Sequence, residues 1–275
     1  MTSSTTTGRF AFGRNWRSFL EVVDEGRIEE SQHALQSSLG RERLDGWRVL
    51  DIGSGSGLSS LAMYRLGAKV VSFDFDQDSV ICTHDLRERH AGESGSDWQV
   101  FAGSVLDGEF MRGLGDFDLV YAWGALHHTG RMWLAVDNAA ARVKPGGVLL
   151  LALYNDQGWR SRAWWWIKRT YCAGWAGRAL VGAIFYPLFA AYAFTLDLRN
   201  GQRPGTHARE YRRNRGMSLF HDWRDWLGGF PFEVAGPDVL HAHLAALGFE
   251  PVKELLAPGW GCNEFVHRRS DDRGD

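Results

Sequence analysis

The chain has 275 residues, 44% hydrophobic and 23% charged, the balance of a folded soluble protein with one core of ordinary size and room for an insertion. A formal net charge of -2 and a pI near 6.6 argue against the basic surface that a general affinity for nucleic acid needs, so no nucleic-acid partner is expected. Three scattered cysteines (Cys82, Cys172, Cys262) make neither a disulfide framework nor a metal-ligand cluster, which points to a reducing cytoplasm and no metal.

Met1 to Gly8 is rich in Ser and Thr without the basic-then-apolar pattern of a signal peptide, and reads as a disordered tail. From Trp47 onward, short apolar runs alternate with helical patterns. Strands are predicted at Arg48–Ile52, Lys69–Phe73, Trp98–Ala102, Asp118–Ala122 and Val148–Leu153. Helices are predicted at Leu58–Leu66, Ser79–His90 and Arg131–Val143, the last stopped by Lys144-Pro145-Gly146-Gly147. A further helix at Pro237–Leu247 precedes strands Phe249–Leu256 and Asn263–Arg268, joined by a turn containing Pro and Gly. Five parallel strands closed by an antiparallel hairpin describe an α/β, Rossmann-like, doubly wound sheet of seven strands, with its ligand at the carboxyl ends of the strands.

Asp51-Ile52-Gly53-Ser54-Gly55-Ser56-Gly57 follows a strand and opens a helix. Glycines there allow a sharp turn and let a ligand approach main-chain N–H groups at the helix start. The third glycine falls one position early for a dinucleotide loop, and no lysine follows to make a phosphate loop. An acid ending the first strand would repel a pyrophosphate but suits a ligand that bears an ammonium group. Asp74 ends the second strand, where a carboxylate can accept hydrogen bonds from ribose hydroxyls. Asp76 reads as a solvated carboxylate or helix cap.

Asp51–Gly57, Asp74 and Leu126-His127-His128 together resemble the signature of class I S-adenosylmethionine-dependent methyltransferases, especially the ubiquinone-biosynthesis-type branch. The resemblance covers about Trp47 to Leu153. It implies S-adenosylmethionine as cofactor, with Asp51 at the methionine end and Asp74 on the ribose. Gly53, Gly55 and Gly57 form the cofactor loop, and Ser104 and Val105 flank the adenine, Ser104 standing where many relatives carry Asp. Phe10–Phe19 resembles the segment that folds over the cofactor in such enzymes, with Asn15 and Trp16 as candidate substrate contacts, so residues 1–46 are expected to hold a tail and a covering helical segment.

His127 and His128 follow the fourth strand. A neutral imidazole there could take a proton from a hydroxyl or carboxylic acid, or the pair could cap the next helix or pack beneath the cofactor. Tyr154 and Asn155, at the mouth of the fifth strand, are candidate substrate contacts.

Residues 157–232 are expected to form an inserted lid between two core segments, 47–156 and 233–275. The lid opens with Trp159, Trp164, Trp165, Trp166, Tyr171 and Trp175 among Arg160, Arg162, Lys168 and Arg169. An apolar run follows, Ala179 to Leu196, nearly long enough to span a membrane but interrupted by Gly182 and Pro187. A pair of helices that covers the pocket or forms an interface, including a homo-oligomeric one, is expected; membrane-surface contact is the other use of such a run. Arg199, Arg203, Arg209, Arg212, Arg213 and Arg215 face one acid, Glu210, and make either a solvated face or a clamp for an anionic group. His221, with Asp222, could orient a substrate or tie the lid to the sheet. The reading is methyl transfer to oxygen or nitrogen of a small organic or lipid-like, anionic metabolite. Its alternatives are methylation of RNA or tRNA, or a non-catalytic adenosylmethionine-binding role.

Overall fold

A computed structural model describes residues 23–91, 97–215, 219–259 and 261–271; the side chains of 212–215, 221 and 225 lie outside the described set. In chain order the elements begin with α1 (Glu25–Leu39), β1 (Arg48–Ile52), α2 (Leu58–Arg65), β2 (Lys69–Asp74), α3 (Gln77–Ala91) and β3 (Trp98–Ala102). Then come α4 (Gly108–Gly113), β4 (Phe117–Trp123), a 3₁₀ turn (Leu126–His128), α5 (Met132–Ala140) and β5 (Val143–Tyr154). Four helices follow: α6 (Trp159–Cys172), α7 (Trp175–Arg199), α8 (Thr206–Arg215) and α9 (Leu219–Gly228). The chain closes with α10 (Pro237–Ala246), β6 (Phe249–Leu255) and β7 (Cys262–Arg269).

The seven strands lie in the order β3-β2-β1-β4-β5-β7-β6. The first five are parallel, and β7 runs antiparallel between β5 and β6. Strands β1, β2, β4 and β5 read as continuous apolar runs because helices cover both faces of the sheet. One core layer gathers Leu50, Ile52, Phe73, Val120, Leu151 and Phe265 with α5 and α10; the other gathers Val49, Val70, Leu119, Leu150 and Trp98 with α1, α2 and α3. Helix α1 packs against α2 through Ile28 and Leu35, and Glu25 is ion-paired with Arg65. Phe10–Phe19, with Asn15 and Trp16, lies outside the described residues.

Two expectations are corrected. Helix α5 ends at Ala140, and Lys144-Pro145-Gly146-Gly147 belongs to β5 rather than to a turn ahead of it. Pairing of Val143 with Phe117 draws the segment into the sheet, and a register irregularity between Phe117 and Leu119 absorbs it. The apolar run from Ala179 to Leu196 lies in one helix, α7, where a pair was expected, and neither Gly182 nor Pro187 interrupts it. Gly182 makes room for the Tyr186 ring, which would lie 2.9 Å from an added Cβ. Pro187 deprives the Ala183 carbonyl of its intrahelical donor; both residues are exposed, so water can replace that bond.

Candidate active site

The loop after β1 is held by its own backbone: the Gly53 and Ser54 N–H groups donate to the Phe73 carbonyl at 2.9 and 3.2 Å. Gly53 (φ 76°) and Gly57 (φ 82°) occupy left-handed backbone that disfavours side chains. Space is equally restrictive, since an added Cβ would stand 2.4 Å from Cβ of Ala125 at Gly53 and 2.9 Å from Cα of Thr83 at Gly57. Gly53 therefore lets the histidine turn pack against the loop, and Gly57 lets α2 approach α3. Gly55 also has positive φ, 56°.

Asp51 is buried at the end of β1 and ends a polar chain through the core. The Trp98 indole N–H donates to Ser72 Oγ at 2.9 Å, the Ser72 and Ser60 hydroxyls lie 2.7 Å apart, and Ser60 donates to Asp51. An ionised carboxylate only accepts, so every hydroxyl in this chain points toward Asp51. Burial nevertheless pushes its carboxyl up to about 7; the Ser60 hydrogen bond opposes the rise and the Asp74 charge adds to it. A buried acid in that condition gains from a cation, and this is the fit with an ammonium-bearing ligand.

Asp74 accepts from the Gly55 N–H at 3.0 Å and from the Asp76 N–H at 2.8 Å, which fixes both oxygens beside the loop. Burial raises its pKa, with the two backbone N–H groups opposing. Asp76 accepts from the Asp78 N–H at 2.9 Å, the helix-cap role expected of it. Ser104 and Val105 sit in the turn beyond β3. The Ser104 hydroxyl accepts from the Leu106 N–H at 3.2 Å, while Val105 is buried and its carbonyl accepts from Asn138 at 2.8 Å.

The two histidines separate. His127 is buried with its ring 3.9 Å from the Tyr154 ring, and burial, with the neighbouring His128 and Lys168, holds its pKa well below the ordinary value. Its Nδ1 accepts from the Tyr154 N–H at 3.4 Å, so the hydrogen of the neutral ring sits on Nε2. His128 is half-buried and its Nδ1 lies 2.7 Å from the Pro231 carbonyl oxygen. A carbonyl only accepts, so Nδ1 carries the hydrogen and Nε2 the lone pair. In its neutral form His128 thus keeps its lone pair on Nε2, whereas the His127 lone pair, on Nδ1, already accepts from Tyr154.

Beside the turn, Tyr154, Asn155, Gln157, Ser161, Trp164, Lys168, Trp226, Phe232 and Gly261 line a cleft. The cavity itself is small, about 20 Å³, and the recess around it is open to solvent. Asn155 accepts from Asn263 at 3.2 Å, and burial raises the Tyr154 pKa. Lys168 is buried, donates to the Trp226 carbonyl, and holds its ammonium 5.2 Å from the centre of the Phe232 ring. The sequence reading missed Lys168, Trp226 and Phe232 as site residues; the available signal was one lysine amid tryptophans, three residues past Trp165 on a single helix. Arg212 and Arg213 lie on α8 and His221 on α9, their side chains outside the described set.

Residues 50–149 match a family model described as a methyltransferase domain. A ubiquinone biosynthesis O-methyltransferase from Methylocella silvestris is 32% identical over 155 residues, 54% of this chain and 57% of that protein. One from a Methylobacterium is 33% identical over 54% of this chain and 56% of its own. The chain thus spans little more than half the length of these curated relatives. Among solved structures, magnesium protoporphyrin IX methyltransferase from Synechocystis with bound S-adenosylmethionine superposes with a TM-score of 0.55 at 12% identity, covering 94% of this chain and 91% of that one. The N-methyltransferase NodS from Bradyrhizobium japonicum superposes with a TM-score of 0.51 at 14% identity, over 94% and 99% of the two chains. Fold and matched segment agree: residues 50–149 are similar to a methyltransferase domain, and the chain shares the fold of these solved methyltransferases.

Proposed function

We propose that the protein transfers a methyl group from S-adenosylmethionine to an oxygen or nitrogen of a small organic or lipid-like metabolite with an apolar body and an anionic group. The observation that carries this reading is the cleft at the carboxyl end of β5, with aromatic walls and one buried cation, whose Tyr154 ring lies against His127 of the turn that packs on Gly53.

Asp51 would hold the ammonium end of the cofactor and Asp74 its ribose, with Gly53, Gly55 and Gly57 shaping the loop and Ser104 and Val105 at the adenine end. Bound there, S-adenosylmethionine supplies an electrophilic methyl group on a sulfonium. The chain's own task is to align a nucleophile, exclude water and remove a proton. Trp164, Trp226 and Phe232 exclude water, while Tyr154 and Asn155 orient the acceptor. Lys168 draws the anionic group, a role first expected of Arg212 and Arg213. His128 Nε2 takes the proton from the acceptor hydroxyl or ammonium, and Pro231 keeps its other nitrogen protonated.

The test is methyl transfer from radiolabelled S-adenosylmethionine to a panel of phenols and amines, each with and without a carboxylate and an apolar tail. Selective labelling of carboxylated, apolar-tailed acceptors supports the reading. Labelling of transfer RNA instead, or of nothing while the cofactor binds, contradicts it.

A further inference from the structure

Helix α7 is 25 residues long and apolar enough to cross a membrane by length and composition, yet only 11% of its most apolar window is buried. Its inner side is satisfied: Val181 is buried, and the Phe185 and Phe189 rings pack at an angle against Trp164 and Trp226. On its outer side Leu180, Ile184, Leu188 and Tyr192 recur every fourth residue and so share one face. They are 60%, 51%, 56% and 65% exposed. Trp159 and Trp166 on α6 and Trp175 at the start of α7 are exposed as well. A continuous apolar stripe of this kind on a folded domain marks a contact surface.

The charge identifies the contact. Residues 157–232 hold twelve Arg or Lys against four Asp or Glu, a net charge of +8; the whole chain carries -2, so the remainder carries -10. The exposed apolar helix lies in the one strongly basic segment of an acidic protein. Arg178 and Arg199, both exposed, stand in its first and last turns.

We propose that the lid docks on the surface of an anionic phospholipid bilayer, with α7 lying in the headgroup plane. The Leu180–Tyr192 stripe enters the acyl boundary, the tryptophans sit at headgroup level, and Arg178 and Arg199 reach lipid phosphates. Crossing the bilayer would require α7 to leave its partners. The Tyr171 and Tyr186 hydroxyls, 2.8 Å apart, tie it to α6, and buried Asp197 accepts from the Gly205 and His207 N–H groups at 2.7 Å, tying it to the start of α8. A second copy of this chain on the stripe would bring two +8 segments together, and repulsion disfavours that. Docking does not depend on the proposed reaction.

The test is cosedimentation of the full chain with phosphatidylcholine vesicles, with and without phosphatidylglycerol. Binding to the anionic vesicles is expected, with little to the neutral ones. Ile184→Glu with Leu188→Glu should lower partitioning roughly tenfold or more, because two charges would enter the acyl boundary. Arg178→Glu with Arg199→Glu should remove the preference for anionic vesicles. Quenching of the unsubstituted protein's tryptophan fluorescence by brominated acyl chains gives a reading independent of any variant's folding. Absence of binding and quenching, equal binding to both vesicles, or unchanged partitioning of the stripe variant would overturn the proposal. A dimer that the stripe variant dissociates, without vesicle binding, would assign the face to a second copy and overturn it as well.

Discussion

Nδ1 of His128 donates to the carbonyl oxygen of Pro231 at 2.7 Å, and that bond joins the turn after β4 to the root of helices α6–α9. The same root reinforces the contact: the Glu233 N–H donates to the His127 carbonyl at 3.0 Å, and the Glu233 carboxylate accepts from the Met132 N–H at 3.0 Å. A segment more than a hundred positions away in sequence thus sets the tautomer of the proposed base.

His128→Ala is expected to lower kcat by roughly a hundred- to ten-thousand-fold, the range for loss of a general base, with cofactor affinity unchanged. His127→Ala should act on stability instead, since it removes a buried ring packed on Tyr154. Single-turnover kinetics and thermal unfolding on both variants separate the two roles. Equal kinetic losses without destabilisation would contradict the assignment.

Asp51 gives a pH dependence with a definite sign. Its carboxyl is held up to about 7, so the folded, ligand-free protein binds a proton that the unfolded chain has released. Stability should therefore fall as pH rises from about 4 to 7, and the cost is fully present above that window. A cationic ligand favours the ionised form, so cofactor affinity should rise across the same pH 7 region and its binding release a proton. Asp51→Asn should abolish both effects and unfold at a higher temperature than the parent at pH 8. Thermal scans and calorimetry in buffers of different ionisation enthalpy measure them.

Lys168→Met should raise KM for an anionic acceptor about tenfold or more, the scale of a lost charge-assisted hydrogen bond, and leave cofactor affinity intact. The effect should respond weakly to salt because the ammonium is buried. If Arg212→Ala with Arg213→Ala raises KM and Lys168→Met does not, the anionic group binds at α8.

Gly53 and Ala125 form a testable pair. Gly53→Ala should cost on the order of 1–3 kcal/mol through left-handed backbone and the collision with Ala125. Ala125→Gly in the same chain removes the collision and leaves the backbone cost, so a double-mutant cycle should show favourable coupling. Additive losses would mean that the turn yields freely.

The sheet was legible in the sequence because short apolar runs alternate with longer helical stretches, and each strand was located within a few residues except for the start of β5. That start misled because Lys-Pro-Gly-Gly reads locally as a stop, while Phe117 pairs with Val143 from 26 positions away. The short helix α4 went unmarked, and within residues 1–46, where a helical segment was expected, α1 lies at Glu25–Leu39. Asp51, Asp74 and the glycines were visible because acid and glycine spacing after a strand has a direct physical meaning. Lys168 was not, since its role depends on Trp226 and Phe232, nearly 60 residues later, closing over it. The two histidines were found together but could not be told apart, because the bonds that fix their tautomers come from β5 and Pro231.

Calorimetric titration of S-adenosylmethionine into the protein and its Asp74→Ala variant decides whether the loop after β1 holds the cofactor. The parent should bind one equivalent, and the variant should bind more weakly by about 1.5–3 kcal/mol, because the ribose loses charge-assisted hydrogen bonds and the loop loses its tie to Gly55. Equal affinity in the two proteins, or no binding by the parent, would contradict the assignment of this loop as the cofactor site.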